Sequence, residues 1–448
     1  LGTHVLDGLA EVRALLVGDV DDLRRHAVLV YILDRLGLLV GEDRRVEHQL
    51  AGVGLRLPQL GWSLSPGATG ELEVSGRLGE PPSLDRVRIV AGGLSARGTV
   101  ALRPDGQLDR ASFTRVQVGD WIDAPVELVG RGAGAVPLVR VLGGSIDLRQ
   151  TSLAGGGDNA AQGRRTAGGP VSLILDRLQI SEGIALTDFR AELDMSNGAN
   201  GQFSGKLNEY APVTGTVVPQ AGRSAFRIRS SDAGGFFASA GLLKQARNGT
   251  LEVILTPGRG AGVYEGKMEA RGNMRLKDAP AMAALLNALS VIGILEQMGG
   301  EGIHFNQVDA RFQLSPDRVT LYSGSAIGAS MGISMDGYYY MGNGQMDMQG
   351  VISPLYLVNA VGGIFTRRGE GLIGFNYRLR GQASDPRVEV NPLSALTPGM
   401  FRELFRRPPP RQPESRAGGQ AAPSTQPTQD STTPTAEQAP QTNTGTDR

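Results

Sequence analysis

"LTDFRAELDM", residues 186–195, decides the fold. In an extended chain Thr187, Phe189, Ala191, Leu193 and Met195 fall on one side, and Asp188, Arg190, Glu192 and Asp194 on the other. A period of two with one apolar face marks a half-buried antiparallel strand. Asn197-Gly198 follows, a dipeptide that tolerates the positive φ of a two-residue hairpin turn.

The same text recurs in both directions. Upstream, "GLSARGTVALRPDGQL" sets Gly98, Val100 and Leu102 against Thr99, Ala101 and Arg103, then turns at Pro104-Asp105-Gly106, where Pro presets φ and Gly permits φ > 0. Downstream, "VYEGKMEAR" sets Tyr264, Gly266, Met268 and Ala270 against Glu265, Lys267, Glu269 and Arg271. Further on, Ala310, Phe312 and Leu314 oppose Asp309, Arg311 and Gln313. Met346 and Met348 alternate with Gln345, Asp347 and Gln349. Ile373, Phe375, Tyr377 and Leu379 alternate with Gly374, Asn376, Arg378 and Arg380. The 64 glycines fit many strands joined by tight turns better than a helical protein. The fold expected is mainly β with a few helices, built on one long antiparallel sheet.

Four helical segments accompany the strands. "SDAGGFFASAGLLKQARNG" reads as a short helix capped by Asp232 and stopped near Gly249, with Phe236, Phe237, Ala240 and Leu243 as its stripe. An apolar helix is expected from an Asp278 cap and Pro280 in the first turn to Met298, ending at Gly299-Gly300. Its stripe is Met282, Leu285, Leu286, Leu289, Ile292 and Leu295, and a helix this apolar must be buried against a sheet, another chain or lipid. Shorter helices are expected near Pro354 and after Pro398, the latter with Met400, Phe401, Leu404 and Phe405 on its apolar side.

Four regions follow. Residues 1–60 hold three of the four histidines (His4, His26, His48) and clustered charges, and read as a helical cap or as a segment foreign to the native protein. Residues 61–273 form a repeated antiparallel sheet region, 274–407 a terminal region, and 408–448 a tail without Leu, Ile, Val or aromatic residues. That tail cannot offset its ordering entropy and reads as disordered.

Composition narrows the functional classes. Lys plus Arg and Asp plus Glu both number 45, so no global field draws the chain to nucleic acid. Cysteine is absent, which removes disulfides, thiolate metal sites and Cys nucleophiles together. No apolar run is long enough to span a bilayer as a helix. Glycine clusters such as "GRGAG" (Gly130–Gly134) lack the Lys-Ser/Thr pair of a phosphate loop and read as turns. Glu192 and Asp194 read as solvated charge, His304 beside Phe305 as a structural histidine, and Arg402, Arg406 and Arg407 as helix-dipole complement or, alternatively, as contacts for anionic headgroups. No Ser, His and Asp arrangement stands out, which argues against general-base hydrolysis. No catalytic residue, cofactor or metal site is expected.

The order from "DAP" (Asp278–Pro280) through "GEGIHF" and "RRGEGLIGFNYRLRG" to "DPRVEVNPLSALTPGMFRELF" resembles the C-terminal region of the AsmA-like superfamily of bacterial envelope proteins, the group that includes the YhdP and TamB types. Asn391, Pro392, Leu393, Ser394, Pro398 and Gly399 carry the most specific part. The resemblance spans Asp278 to Phe405, is weaker back to Gly61, and does not extend to residues 1–60 or the tail. It implies a twisted sheet curled into an apolar groove and capped by short helices near the C-terminus. It also implies a periplasmic protein, held in the inner membrane through an N-terminal segment not present in this chain, that moves phospholipid towards the outer membrane. Phospholipid, one or both membranes and other envelope proteins are the implied partners. On that reading Phe189, Leu193, Met268, Phe312, Met346, Met348, Phe375 and Tyr377 line the groove. The alternative expectation is an assembly factor whose apolar face closes on its own core, with no lipid path.

Overall fold

The computed structural model describes residues 44–49, 55–57, 62–65, 67–77, 83–149, 168–277, 280–288, 302–354, 370, 373–396 and 406–411. The strands are β1 (Arg44–Gln49), β2 (Leu55–Leu57), β3 (Trp62–Leu64), β4 (Gly70–Arg77), β5 (Ser83–Ala91), β6 (Leu94–Leu102), β7 (Leu108–Val118) and β8 (Ile122–Val129). There follow β9 (Leu138–Leu142), β10 (Ser145–Asp147), β11 (Pro170–Ser181), β12 (Ile184–Asp194), β13 (Asn200–Leu207), β14 (Ala211–Gln220) and β15 (Arg223–Ser230). After helix α1 (Ala233–Ser239) come β16 (Ala246–Arg247), β17 (Thr250–Pro257) and β18 (Tyr264–Leu276). After helix α2 (Pro280–Ala288) come β19 (Ile303–Leu314), β20 (Arg318–Ile327), β21 (Met331–Tyr340), β22 (Gln345–Pro354), β23 (Phe375–Gln382) and β24 (Asp385–Asn391), closed by a 3-10 turn, Pro392–Leu396.

The protein is mainly β, with one long, largely antiparallel sheet and few helices. Twenty-two of the described strands share that sheet, and β2 and β3 pair with each other. From β4 to β8 and from β11 to β15 each strand pairs antiparallel with the next in sequence, and so do those from β17 to β24. Between β8 and β11 lies one interrupted strand made of β9 and β10, antiparallel to β8 but parallel to β11. The sheet also reaches past the boundary read at Gly61, because β1 pairs along its length with β4. β18 runs through the boundary read at residue 273.

The hairpins form where the sequence places them. Asn197-Gly198 joins β12 to β13 with Gly198 at φ 110°, and Pro104-Asp105-Gly106 joins β6 to β7 with Gly106 at φ 79°. Three other glycines serve a different purpose. Gly98, Gly215 and Gly266 sit in mid-strand directly across from Phe113, Phe203 and Phe312. A Cβ on Gly215 or Gly266 would lie 2.3 Å from the opposing ring. These aromatic rings lie flat over bare backbone, a pairing only Gly allows.

One face of the sheet is apolar along its length. Its side chains, from Leu72 on β4 to Leu379 on β23, join one hydrophobic cluster. The helices pack on it locally, α1 at β14, β16 and β18. Asp232 caps α1 by accepting from the Gly235 amide at 2.8 Å. The helix stops at Gly241 (φ 72°), well before the Gly249 stop expected, and Leu243 is exposed. α2 buries Leu285 and Leu286 and packs against β24. The continuation of α2 to Met298, the helices expected near Pro354 and after Pro398, the helical cap read before residue 44 and the tail beyond residue 411 lie outside the described residues, whereas residues 408–411, read as the start of a disordered tail, are described.

Candidate functional site

Two surfaces stand out: the apolar face, and a stretch of the opposite face that is also covered. All eight residues assigned to the groove reach the same hydrophobic cluster. Phe189 and Leu193 (β12), Met348 (β22) and Tyr377 (β23) are buried within it, whereas Met268 (β18), Phe312 (β19), Met346 (β22) and Phe375 (β23) pack against it half-buried. Phe189 opposes Leu175 and stacks tilted on Phe203, centroids 6.2 Å apart. Tyr377 opposes Gly350, and its hydroxyl donates to the Ser334 carbonyl at 2.8 Å, with burial raising its pKa. The half-buried members lie on β18, β19, β22 and β23, all in the C-terminal half of the sheet.

The terminal motif acts as a clasp. Asn391 Oδ1 accepts from the Leu393 amide at 3.2 Å, an Asx turn. Ser394 Oγ donates to the Asn391 carbonyl at 2.5 Å and accepts from the Asn376 amide at 2.8 Å. Buried Ser394 thus ties the end of β24 to the start of β23, while Leu393 is 72% exposed. Pro398 and Gly399 lie outside the described residues.

The second surface was not signalled by any spacing in the sequence. On β21 and β22 the side chains facing away from the hydrophobic cluster include Ser334, Asp336, Asp347 and Gln349. The segment 406–411 lies over them. Arg406 Nη1 donates to Glu370 Oε1 at 2.6 Å and Nη2 to Asp336 Oδ1 at 2.9 Å, with all three side chains no more than 4% exposed. Ser334 Oγ donates to the same Glu370 oxygen at 2.6 Å, and Gln349 Nε2 donates to Asp336 Oδ2 at 2.9 Å. Gln349 also holds the main chain of Arg407, donating to its carbonyl at 2.7 Å and accepting from its amide at 3.2 Å. Arg407 spans Asp347 with two bonds of 2.8 Å, which lowers the Asp347 pKa and raises its own. Burying charge costs several kcal/mol per ion, which the mutual pairing and hydrogen bonds of this network offset. Arg406 and Arg407 are therefore anchored in carboxylates. Arg402 lies outside the described residues.

Elsewhere the polar face is a solvated charge ladder. Glu252 takes Arg227 at 2.7 Å and Arg229 at 2.8 Å, and these bonds lower its pKa to about 2. Glu192 is exposed and accepts from Ser172 Oγ at 2.6 Å, and Asp194 is held by the Ser196 amide and hydroxyl. His304 Nδ1 sits 2.7 Å from Asn273 Oδ1. Among the described residues no group of three or more His, Asp or Glu is placed to hold a metal ion, and no helix is long and apolar enough to cross a membrane. Comparison with protein-family models, with curated proteins and with solved structures finds no match to this chain.

Proposed function

We propose that this chain is a non-enzymatic element of a bacterial cell envelope, a section of a conduit in which phospholipid acyl chains lie against the apolar face of the sheet. The observation that supports this is the continuity of that face: one hydrophobic cluster takes side chains from β4 through β23. Transfer of acyl chains onto such a face gains about 0.8 kcal/mol per CH₂ and needs no directional contact. Lipid first meets the half-buried quartet Met268, Phe312, Met346 and Phe375. The envelope setting, with the inner and outer membranes as partners, rests on the resemblance carried by Asn391–Ser394.

A photo-crosslinking side chain at each of these four positions, in the full chain mixed with phospholipid vesicles, should yield lipid adducts. Adducts at none of the four, in a chain that retains its fold, would overturn the reading.

A second reading is favoured by the middle of the sheet. Phe189 is 0% and Leu193 5% exposed, as in a closed core. An assembly factor with a sealed interior fits that packing. It calls for no co-purifying lipid by extraction and mass spectrometry, and for cross-linkers at Phe189 and Leu193 that capture only protein.

A further inference from the structure

We propose that residues 406–411 are a short linear ligand bound in cis, and that Asp336, Asp347, Gln349 and Glu370 form a recognition site for an Arg-Arg-Pro peptide. Four observations point there. First, the segment joins no strand of the sheet, and the bonds that tie it to β21 and β22 run through side chains. Arg406 enters a buried acidic pocket, Arg407 bridges the rim carboxylate Asp347, and the Gln349 amide grips the peptide group between them and the prolines.

Second, Pro408, Pro409 and Pro410 follow directly, with Pro409 and Pro410 half-buried. Three prolines carry no N–H and favour the stiff, extended polyproline form, so docking orders little that was not ordered already. Charged anchors beside a proline run are how peptide-recognition surfaces read short segments.

Third, the strand pairing beneath the site does not run through its occupant. β21 and β22 pair without interruption from Met331↔Pro354 to Tyr340↔Gln345. Glu370 is itself positioned by Ser334 Oγ at 2.6 Å. Fourth, an apolar plug would cover the same strands at least as stably as a buried ion trio. The charges add selectivity for a guanidinium in one register. The segment therefore leaves and rebinds as a unit while the ladder stays paired, and any partner that engages the chain beyond Arg411 acts on this contact first.

Hydrogen exchange on the full wild-type chain tests the separation. The Arg407 amide, which donates to Gln349, should exchange at least about tenfold faster than the slowest amides of the β21–β22 ladder, and with little response to denaturant. Equal rates with the same denaturant dependence would show that the segment opens only with the sheet, and would overturn the proposal. A second test uses the full chain carrying Arg406→Ala and Arg407→Ala, titrated with a labelled peptide of residues 404–412. Saturable binding, about tenfold or more tighter than to the wild-type chain and lost when both arginines of the peptide are alanine, is the expected result. Absent binding, or binding indifferent to the peptide arginines, would overturn it. If the doubly substituted chain does not fold, exchange in the wild-type chain decides alone.

Discussion

The middle of the sheet and its C-terminal strands obey the same alternation and end up buried differently. On β12 the burial follows the sequence from Phe189 to Met195, with apolar residues inside and charged residues in water. On β22 every residue from Met348 to Gly350 and on through Ser353 is buried, Gln349 and Ser353 included. The difference is not in the strands but in what lies over them. The polar face of β12 is open to water, whereas on β21 and β22 Arg406 and Arg407 bond to Asp336, Asp347 and Gln349, and Glu370 bonds to Ser334. Alternation tells which side chains share a face and is silent about what each face meets.

The largest test of this contrast is in the core. Phe189→Ala should cost about 3–5 kcal/mol, and Phe375→Ala, half-buried at the other end, roughly half as much or less, both read from urea unfolding. Equal losses would erase the distinction between a sealed middle and a looser end. Next in size is Gly215→Ala, whose new methyl meets the Phe203 ring, at about 1–3 kcal/mol. Combining it with Phe203→Leu should return much of that loss in a double-mutant cycle, because the clash is with the ring alone. The solvated ladder should respond least. Glu252→Gln should cost no more than about 1 kcal/mol at neutral pH. Its carboxyl is held at about 2 rather than 4.5, so its contribution is complete above pH 4.5 and lost as pH falls towards 2. The variant should lose that part of the acid dependence in a pH series of thermal midpoints. Asp347→Asn should be similarly mild for the sheet, where Asp347 also meets Arg380 at 3.4 Å, yet raise exchange at the Arg407 amide, since Asp347 holds the rim arginine by two bonds.

Much of the sheet was legible because its signals are local. Thr187 marks where legibility ends. At Asp188 the backbone takes φ 49° and β12 bulges against β13, so the face switches and Leu186, not Thr187, is buried. A lone Asp in the left-handed region leaves little trace in a hydrophobic pattern. Gly98 and Gly266 read as members of alternating apolar faces, and their pairing with rings depends on register, which no single strand states. The covered polar site was illegible for a related reason. Arg406 lies 70 residues from Asp336 and 36 from Glu370, and nothing in either neighbourhood marks them as partners. The groove candidates were found as a set because they share a parity, but which of them water reaches depends on packing across strands far apart in sequence.

The interrupted strand β9–β10 bears on how such a chain folds. Antiparallel neighbours close through short hairpins, so each ladder can zip from the one before it at low contact order. The parallel pairing of β9 with β11 breaks that series, and it is sealed by Val139 and Val141. Two runs of hairpins, before and after it, are thus free to nucleate separately and meet late at this seam. Truncating Val139 or Val141 should then speed unfolding while leaving the folding rate nearly unchanged.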